Sequence, residues 1–479
     1  MNKTLKNSAI YLVGTVIMGL FGFVSTMVLT RVLSQQVYAM YGLFSTFSNA
    51  VGMFIAFGYD SAYMRFYYNH GYSQKKFMFM VVKIPLIIFA AIALIIIEPT
   101  GTFITYIFGE KLSYFSIMVL LVYLFFHFIQ RFFHLTARME EHAINYVFSN
   151  IIAKSGFVAI VFLVYWFIKN VSFDWVLFSF MFTSVMATCI NLSVFLKVAN
   201  EKSRLNESVT DKDLFSYGFP YMINNVLILV IPLIEKLIIR DLAGWEVLSI
   251  FTAASVFQTV MMIISNTVIN IWNPIVFKDC NDEKKFKPIL HTFGLMSVVS
   301  VTICLAFCIL LRRWLVLLLD SSYNSIYIIA PTIIYSSGVH IISIIYSVGI
   351  NIKKKTKHLI FIPIAQLVIS LILCYMLIPR MGLIGVALAS FISLVVTKIY
   401  KIYMGLYLYD SGQSEWKATT IGIIGIVIAL LSLFFTSLCS DVILTLILIV
   451  SVLTVANREL VESIKNLTGM MKISKSEKQ

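Results

Sequence analysis

Charged and strongly polar residues are scarce in this chain, so the few that sit inside apolar stretches are the ones that could do chemistry. Leu214–Leu242, LFSYGFPYMINNVLILVIPLIEKLIIRDL, is long enough to cross a bilayer yet holds Asn224, Asn225, Glu235, Lys236 and Arg240. Polar groups at membrane depth are costly and usually face a bundle interior or a water-filled cavity. Asn224 and Asn225 are read as polar lining. Glu235 is either a sodium- or proton-coupling acid or the partner of Lys236, and Arg240 either lines a cavity or snorkels to the interface. A second constellation is HFIQRFFHLTAR, where His127, Arg131, His134 and Arg138 recur at +4, +3 and +4 and so form one helical stripe. Here His127 and Arg131 are assigned to the cavity, and His134 and Arg138 to the interface. Lys154 lies about eleven residues, ~16 Å, into the next apolar run, deeper than snorkelling reaches. Lys83, nearer a run's end, snorkels.

Arg31, Arg131, Lys154, Lys236 and Arg240 together suit an anionic ligand, because guanidinium forks match phosphate oxygens and lysine adds a point charge. Acids inside the apolar runs are few, which opposes a site for organic cations. No glycine-rich phosphate loop, HExxH or nucleophile elbow is present, so the chain does not read as an enzyme. The six cysteines lack metal-ligand spacing, and neither a metal nor an organic cofactor is expected.

The elements that position these residues are membrane helices. Of 479 residues 59% are hydrophobic and 13% charged, against ~25% charged in soluble proteins. The apolar runs predict an all-α polytopic membrane protein with about fourteen spans: 9–30, 38–59, 77–97, 112–135, 144–167, 175–196, 215–238, 247–270, 288–311, 324–349, 359–378, 383–404, 418–437 and 441–457. The first run continues past Leu29 without a small-residue cleavage site and reads as a span, not a signal peptide. The formal net charge of +14 does not point to nucleic acid, because the lysines and arginines gather in alternate connectors. That alternation places both termini in the cytoplasm.

The expected domains are an N-terminal six-helix lobe (1–199), a cytoplasmic linker (200–213), a C-terminal six-helix lobe (214–410), two accessory helices (411–457) and a basic tail (458–479). Lys75-Lys76-Phe77 and Lys284-Lys285-Phe286 are 209 residues apart, as are Arg31 and Arg240. Six spans separate the matches, so the lobes share orientation as a parallel repeat. IPRMGLIGVALASFIS (Ile378–Ser393) carries a helix stop at Pro379, a turn at Gly382 and a small face at Gly385 and Ala389.

The opening LKNSAIYLVGTV…LTRVLSQQVYAMYGLFSTFSNAVGMFIAFGYDSAYMRF, with GFPYMINNVLILVIPLIEKLIIRDLAGWEVLSIFTAAS and PRMGLIGVALAS, resembles the polysaccharide-transport branch of the multidrug/oligosaccharidyl-lipid/polysaccharide exporter superfamily. The resemblance implies a flippase that carries undecaprenyl-pyrophosphate-linked oligosaccharide units across the bacterial inner membrane by alternating access. It would serve O-antigen, capsule or exopolysaccharide assembly, amid membrane lipids and beside polymerase and chain-length proteins of the same pathway. Two departures stand out: Glu235-Lys236 occupies a place where the family often has Asp-Arg, and Ala39 and Ser249 stand where it often has Gly. The competing readings are an ion-coupled multidrug exporter of the same fold and a membrane-bound polysaccharide polymerase.

The charge alternation makes a direct prediction. Single cysteines near Lys354 and Lys475 should resist a membrane-impermeant thiol reagent in intact cells, while one at Asn170 should label. Labelling at position 354 would invert the orientation.

Overall fold

A computed structural model describes residues 3–98, 101–201, 209–279, 282–353, 355, 357–412 and 414–455. The tail 458–479 and most of the linker 200–213 lie outside the described residues. Those described form helices and no extended strand. A bilayer core offers no water to backbone N–H and C=O groups, and a helix satisfies them within one segment.

The first helices are α1 (Lys3–Val32), α2 (Gln35–Ala56), α3 (Tyr59–Phe66), α4 (Gln74–Ile96), α5 (Thr102–Phe108) and α6 (Tyr114–Met139). Then come α7 (Ala143–Ile151), a π-helical turn (Ile152–Gly156), α8 (Phe157–Ile168), α9 (Phe173–Val198) and α10 (Asp211–Ala254). The second half holds α11 (Val256–Asp279), α12 (Glu283–Val316), α13 (Ile326–Tyr346), α14 (Val348–Ile352), α15 (Lys357–Leu408) and α16 (Trp416–Phe434). The last apolar helix is α17 (Leu438–Val455).

Eleven helical segments among the described residues are long and apolar enough to cross a membrane. Two of them, Asp211–Ile269 and Ile360–Leu408, run 59 and 49 residues and bend at Gly244 (φ 82°) and Gly382 (φ 52°). Each is long enough for two crossings at ~1.5 Å per residue. With those counted twice and α1 added, the crossings number fourteen, in the expected places. The short helices α3 and α5 escape a reading based on twenty-residue runs. The protein is a multi-pass membrane protein.

The 209-residue offset runs through the helix register. Gln74 and Glu283 open α4 and α12, and α9, shifted by 209, overlays the limb of α15 that follows Gly382. Phe77 and Phe286 of the matched Lys-Lys-Phe motifs are both fully buried. Ser184 and Thr188 on α9 match Ser393 and Thr397 on α15. In each pair the threonine hydroxyl donates to the serine carbonyl, at 2.7 and 2.8 Å.

The chain packs as two compact units, 1–252 and 253–479. The division falls in the last turn of α10, so that helix packs with the first unit although it begins the second round of the repeat. In the first unit a core of Ile55, Tyr59, Tyr63, Phe77, Phe128 and Phe132 joins α2, α3, α4 and α6. Gly58, at φ 75°, lets the turn between α2 and α3 meet α10 at Gly218. A Cβ on Gly58 would stand 2.0 Å from the Gly218 carbonyl oxygen.

In the second unit Trp272, Phe286, Tyr335, Tyr346 and Phe391 form the core. One buried cation staples its end. Arg312 on α12 is fully buried and donates to the Ser432 and Phe435 carbonyls at 2.8 Å each. It also pairs with buried Asp441 in the first turn of α17. One guanidinium thereby serves the open carbonyls at the end of α16 and the first turn of α17. Removing one partner of a buried pair strands the other charge, whereas removing both does not. Asp441→Ala should therefore destabilise the purified protein by about 3–5 kcal/mol, read as a lowered thermal midpoint in detergent. The double variant Arg312→Leu/Asp441→Leu should recover much of that loss, and a midpoint below the single variant's would contradict the staple.

Candidate functional site

The first unit gathers most of the expected residues, and it commits several of them to its own structure. Arg131 on α6 meets Asp60, in the first turn of α3, through Nε at 2.8 Å and Nη2 at 2.6 Å. Asp60 is buried while the Arg131 side chain is 39% exposed, so part of the guanidinium still faces open space. Arg131, expected to line a cavity, is therefore also paired across helices. The single helical stripe also divides. His127 lies against the bare Cα of Gly52 on α2 and approaches Tyr123 Oη at 3.5 Å. His134 meets Ser149 and Tyr146 of α7, and Arg138 is exposed. His134, expected at the interface, instead joins a polar network inside the bundle.

That network contains Gln130, His134, Ser149, Ser184 and Asn191. Ser149 Oγ lies 2.9 Å from His134 Nε2 and accepts from Asn191 Nδ2 at 2.7 Å. Ser184 Oγ donates to Gln130 Oε1 at 2.9 Å, and Gln130 lies 3.4 Å from His134. Asn191 Oδ1 is buried without a partner, but the other bonds tie α6, α7 and α9 to one another and oppose a slip of register. Close by, Lys154 is carried on the π-helical turn and feels the electrostatic field of His134. It is exposed and makes no hydrogen bond or ion pair among the described residues. A π-bulge re-aims a side chain without ending the helix, and such bulges recur at functional sites.

The cations of α10 are not free. Lys236 is buried, and its ammonium donates to the Gly42 carbonyl and to Thr46 Oγ1, both at 2.9 Å, which ties α10 to α2. Arg240 is buried too. It donates Nε and Nη2 to Asp241 at 2.8 and 2.6 Å, and Nη1 to the carbonyls of Tyr106 and Ile107 that end α5. The Tyr106 and Trp245 rings stand 5.2 and 5.8 Å from it. Both were expected to contact substrate; the structure makes them positioning residues, because neutral carbonyls and Asp241 already occupy their donors. Glu235 is half-buried and within electrostatic reach of Lys236. Asn225 is half-buried, the Asn224 side chain lies outside the described residues, and Arg31 is exposed at the end of α1. Lys83 is exposed 3.9 Å from Asp211.

The second unit holds a basic cluster outside the residues expected from the sequence. Lys398 and Lys401 sit within α15, ten and seven residues before its end at Leu408. That places them ~15 and ~10 Å inside the helix. Both are partly buried and within reach of one another and of His340 on α13. His340 Nδ1 is buried without a partner, and neither lysine makes a hydrogen bond or ion pair among the described residues. The signal that could have found the cluster is the repeat itself: His340 is the 209-residue counterpart of Arg131. Arg131 has Asp60 and His340 has no such acid. Basic groups gathered without a counter-charge in a bundle favour an anionic guest.

Comparison with known proteins bears on this geometry. No curated protein matches the sequence. Among solved structures the chain is similar to the lipid II flippase MurJ in an inward closed conformation, at 15% identity and a TM-score of 0.68, over 94% of this chain and 99% of that one. It also resembles an inward-facing multidrug resistance MATE-family transporter of the MOP superfamily, at 12% identity and a TM-score of 0.61, over 82% and 95%. A MOP superfamily transporter from Pyrococcus furiosus matches at 12% identity and a TM-score of 0.54, over 86% and 96%. These neighbours are a flippase and transporters, not enzymes. Residues 4–279 match the family described as polysaccharide biosynthesis protein. By that match the chain belongs to the polysaccharide biosynthesis protein family, and its fourteen crossings carry the fold of the lipid II flippase and the MATE transporters.

Proposed function

We propose that this protein is a flippase for oligosaccharides carried on undecaprenyl pyrophosphate, moving them from the inner to the outer leaflet of the bacterial cytoplasmic membrane for surface polysaccharide assembly. The observation that carries the reading is the set of basic side chains left without a counter-ion inside a multi-pass bundle. These are Lys154 in the first unit and Lys398 and Lys401, with His340, in the second. Arg31 and the open face of Arg131 add to the first. A phosphate entering a low-dielectric path costs several kcal/mol, and fixed cations offset that cost with charge-assisted hydrogen bonds. Family membership and a fold shared with the lipid II flippase support the same reading. Both termini face the cytoplasm in this proposal, the units alternate access, and no cofactor is required. Polymerase and chain-length proteins of the pathway are the proposed partners.

An ion-coupled multidrug exporter is the second reading, and the similarity to MATE transporters favours it. A site for cationic drugs needs acids at depth, where this chain places unpaired cations. Glu235, beside Lys236, is the acid proposed for sodium or proton coupling. Glu235→Gln should abolish the dependence of transport on pH or sodium; normal transport with an unchanged ion dependence would remove Glu235 from coupling.

The charge reading is tested by export. Lys154→Gln and the pair Lys398→Gln/Lys401→Gln should each lower surface polysaccharide about tenfold or more, at ~1.5–3 kcal/mol per charged hydrogen bond. Membrane abundance should be unchanged, and Lys154→Arg should be milder. Lys83→Gln should export normally. Wild-type export from a variant lacking all three lysines would overturn the proposal.

A further inference from the structure

The first unit carries a groove on its outer surface that the transport path does not use. It has a volume of about 490 Å³ and is walled by Met78, Phe79 and Val82 of α4, Ile129 and Phe133 of α6, and Phe195 of α9. That volume falls within the ~300–1,000 Å³ usual for ligand pockets. Ser73, Lys75 and Lys76 line the same groove, about two helical turns before Val82, so its rim is basic and its body apolar. Both lysines are exposed, and neither forms an ion pair among the described residues. The Lys76 ammonium lies 4.4 Å above the Tyr72 ring, which holds it at the rim. The Gln74 and Lys75 amides donate to the Glu201 and Ala199 carbonyls, so the opening amides of α4 are taken and the two ammonium groups are what remains for an anion. Exposed Glu201 stands at this rim and pairs with neither lysine among the described residues.

The groove faces the bilayer. Only 22% of the membrane-length window of α4 is buried, and Phe79 is 68% exposed. A site with an apolar body, a basic rim and an outward aspect is complementary to a lipid that has an acyl chain and a negative headgroup. Bulk phospholipid is what an outward groove meets.

We propose that this groove is a binding site for one anionic glycerophospholipid, its acyl chain lying against Phe79, Val82, Ile129, Phe133 and Phe195 and its phosphate between Lys75 and Lys76. The site is separate from the residues proposed to carry substrate. Basic residues at a membrane surface favour anionic lipid by ~1 kcal/mol each, so two of them amount to roughly a 25-fold preference.

The test uses the purified full-length protein, with lipid retention read by native mass spectrometry against phosphatidylglycerol, phosphatidylcholine and undecaprenyl phosphate. Wild type should retain one phosphatidylglycerol and gain thermal stability in nanodiscs containing it, and phosphatidylcholine should do neither. Lys75→Gln/Lys76→Gln should lose about 25-fold in phosphatidylglycerol affinity and keep its elution profile and helicity. Ile129→Trp, which fills the groove, should lose the bound lipid with both lysines intact; if that variant misfolds, the surface double variant decides alone. Equal retention of phosphatidylglycerol and phosphatidylcholine, or an unchanged affinity in the double variant, would overturn the proposal. Retention of undecaprenyl phosphate in preference to phosphatidylglycerol would also overturn it, by giving the groove to the carrier lipid. The readout is binding, so its failure leaves the export proposal untouched.

Discussion

A charge inside an apolar bundle must be met by something, and in this protein the chain itself meets most of them. Arg131 has Asp60, Arg312 has Asp441 and two carbonyls, Arg240 has Asp241 and the end of α5, and Lys236 has a carbonyl and a hydroxyl of α2. Each arrangement fixes one helix against another, because the donor geometry is lost if either helix turns or slides. Breaking such a contact leaves the other partner buried and uncompensated, so each one opposes movement of its helices. The fold therefore depends on the same residue types that would be sought as ligand groups. What distinguishes the two roles is whether the donors are already occupied.

By that criterion Lys154, on its π-helical turn beside the polar network, stays unengaged among the described residues. The network holds α6, α7 and α9 together, so the lysine projects from a rigid support. In the second unit the equivalent level is more basic. The repeat preserves the serine–threonine pair, Ser184 with Thr188 and Ser393 with Thr397, and with it the local hydroxyl-to-carbonyl bond. It does not preserve the ion pair: His340 stands where Arg131 does in the first round, it pairs with no acid among the described residues, and Lys398 and Lys401 lie within reach of it on α15. The two rounds of the repeat thus carry different electrostatics.

The placement of α10 shows how tertiary contacts can cut across a sequence repeat. Its residues begin the second round, yet Lys236, Arg240 and Gly218 bind it to α2, α5 and the turn after α2. Small residues matter here for approach. With no Cβ on Gly58 or Gly218, two backbones come close enough that the cationic side chains farther along α10 reach carbonyl partners.

Composition and apolar run length determined the helical membrane class and the fourteen crossings, since a twenty-residue apolar run has only one stable form in lipid, and the Pro379–Gly382 motif marked the bend at Gly382. A periodicity of 209 residues determined the repeat, because it is written in residue order. The partners of the cations were not legible in that way. Asp60 stands 71 positions from Arg131, Gly42 194 from Lys236, and Tyr106 134 from Arg240. Nothing local in the sequence marks such pairs. Only the packing of helices decided that Lys236 and Arg240 position α10, that Arg131 is half-committed, and that Lys398 and Lys401 gather beside His340. A side chain's neighbours on other helices are set by which faces pack together, and that is a property of the whole bundle.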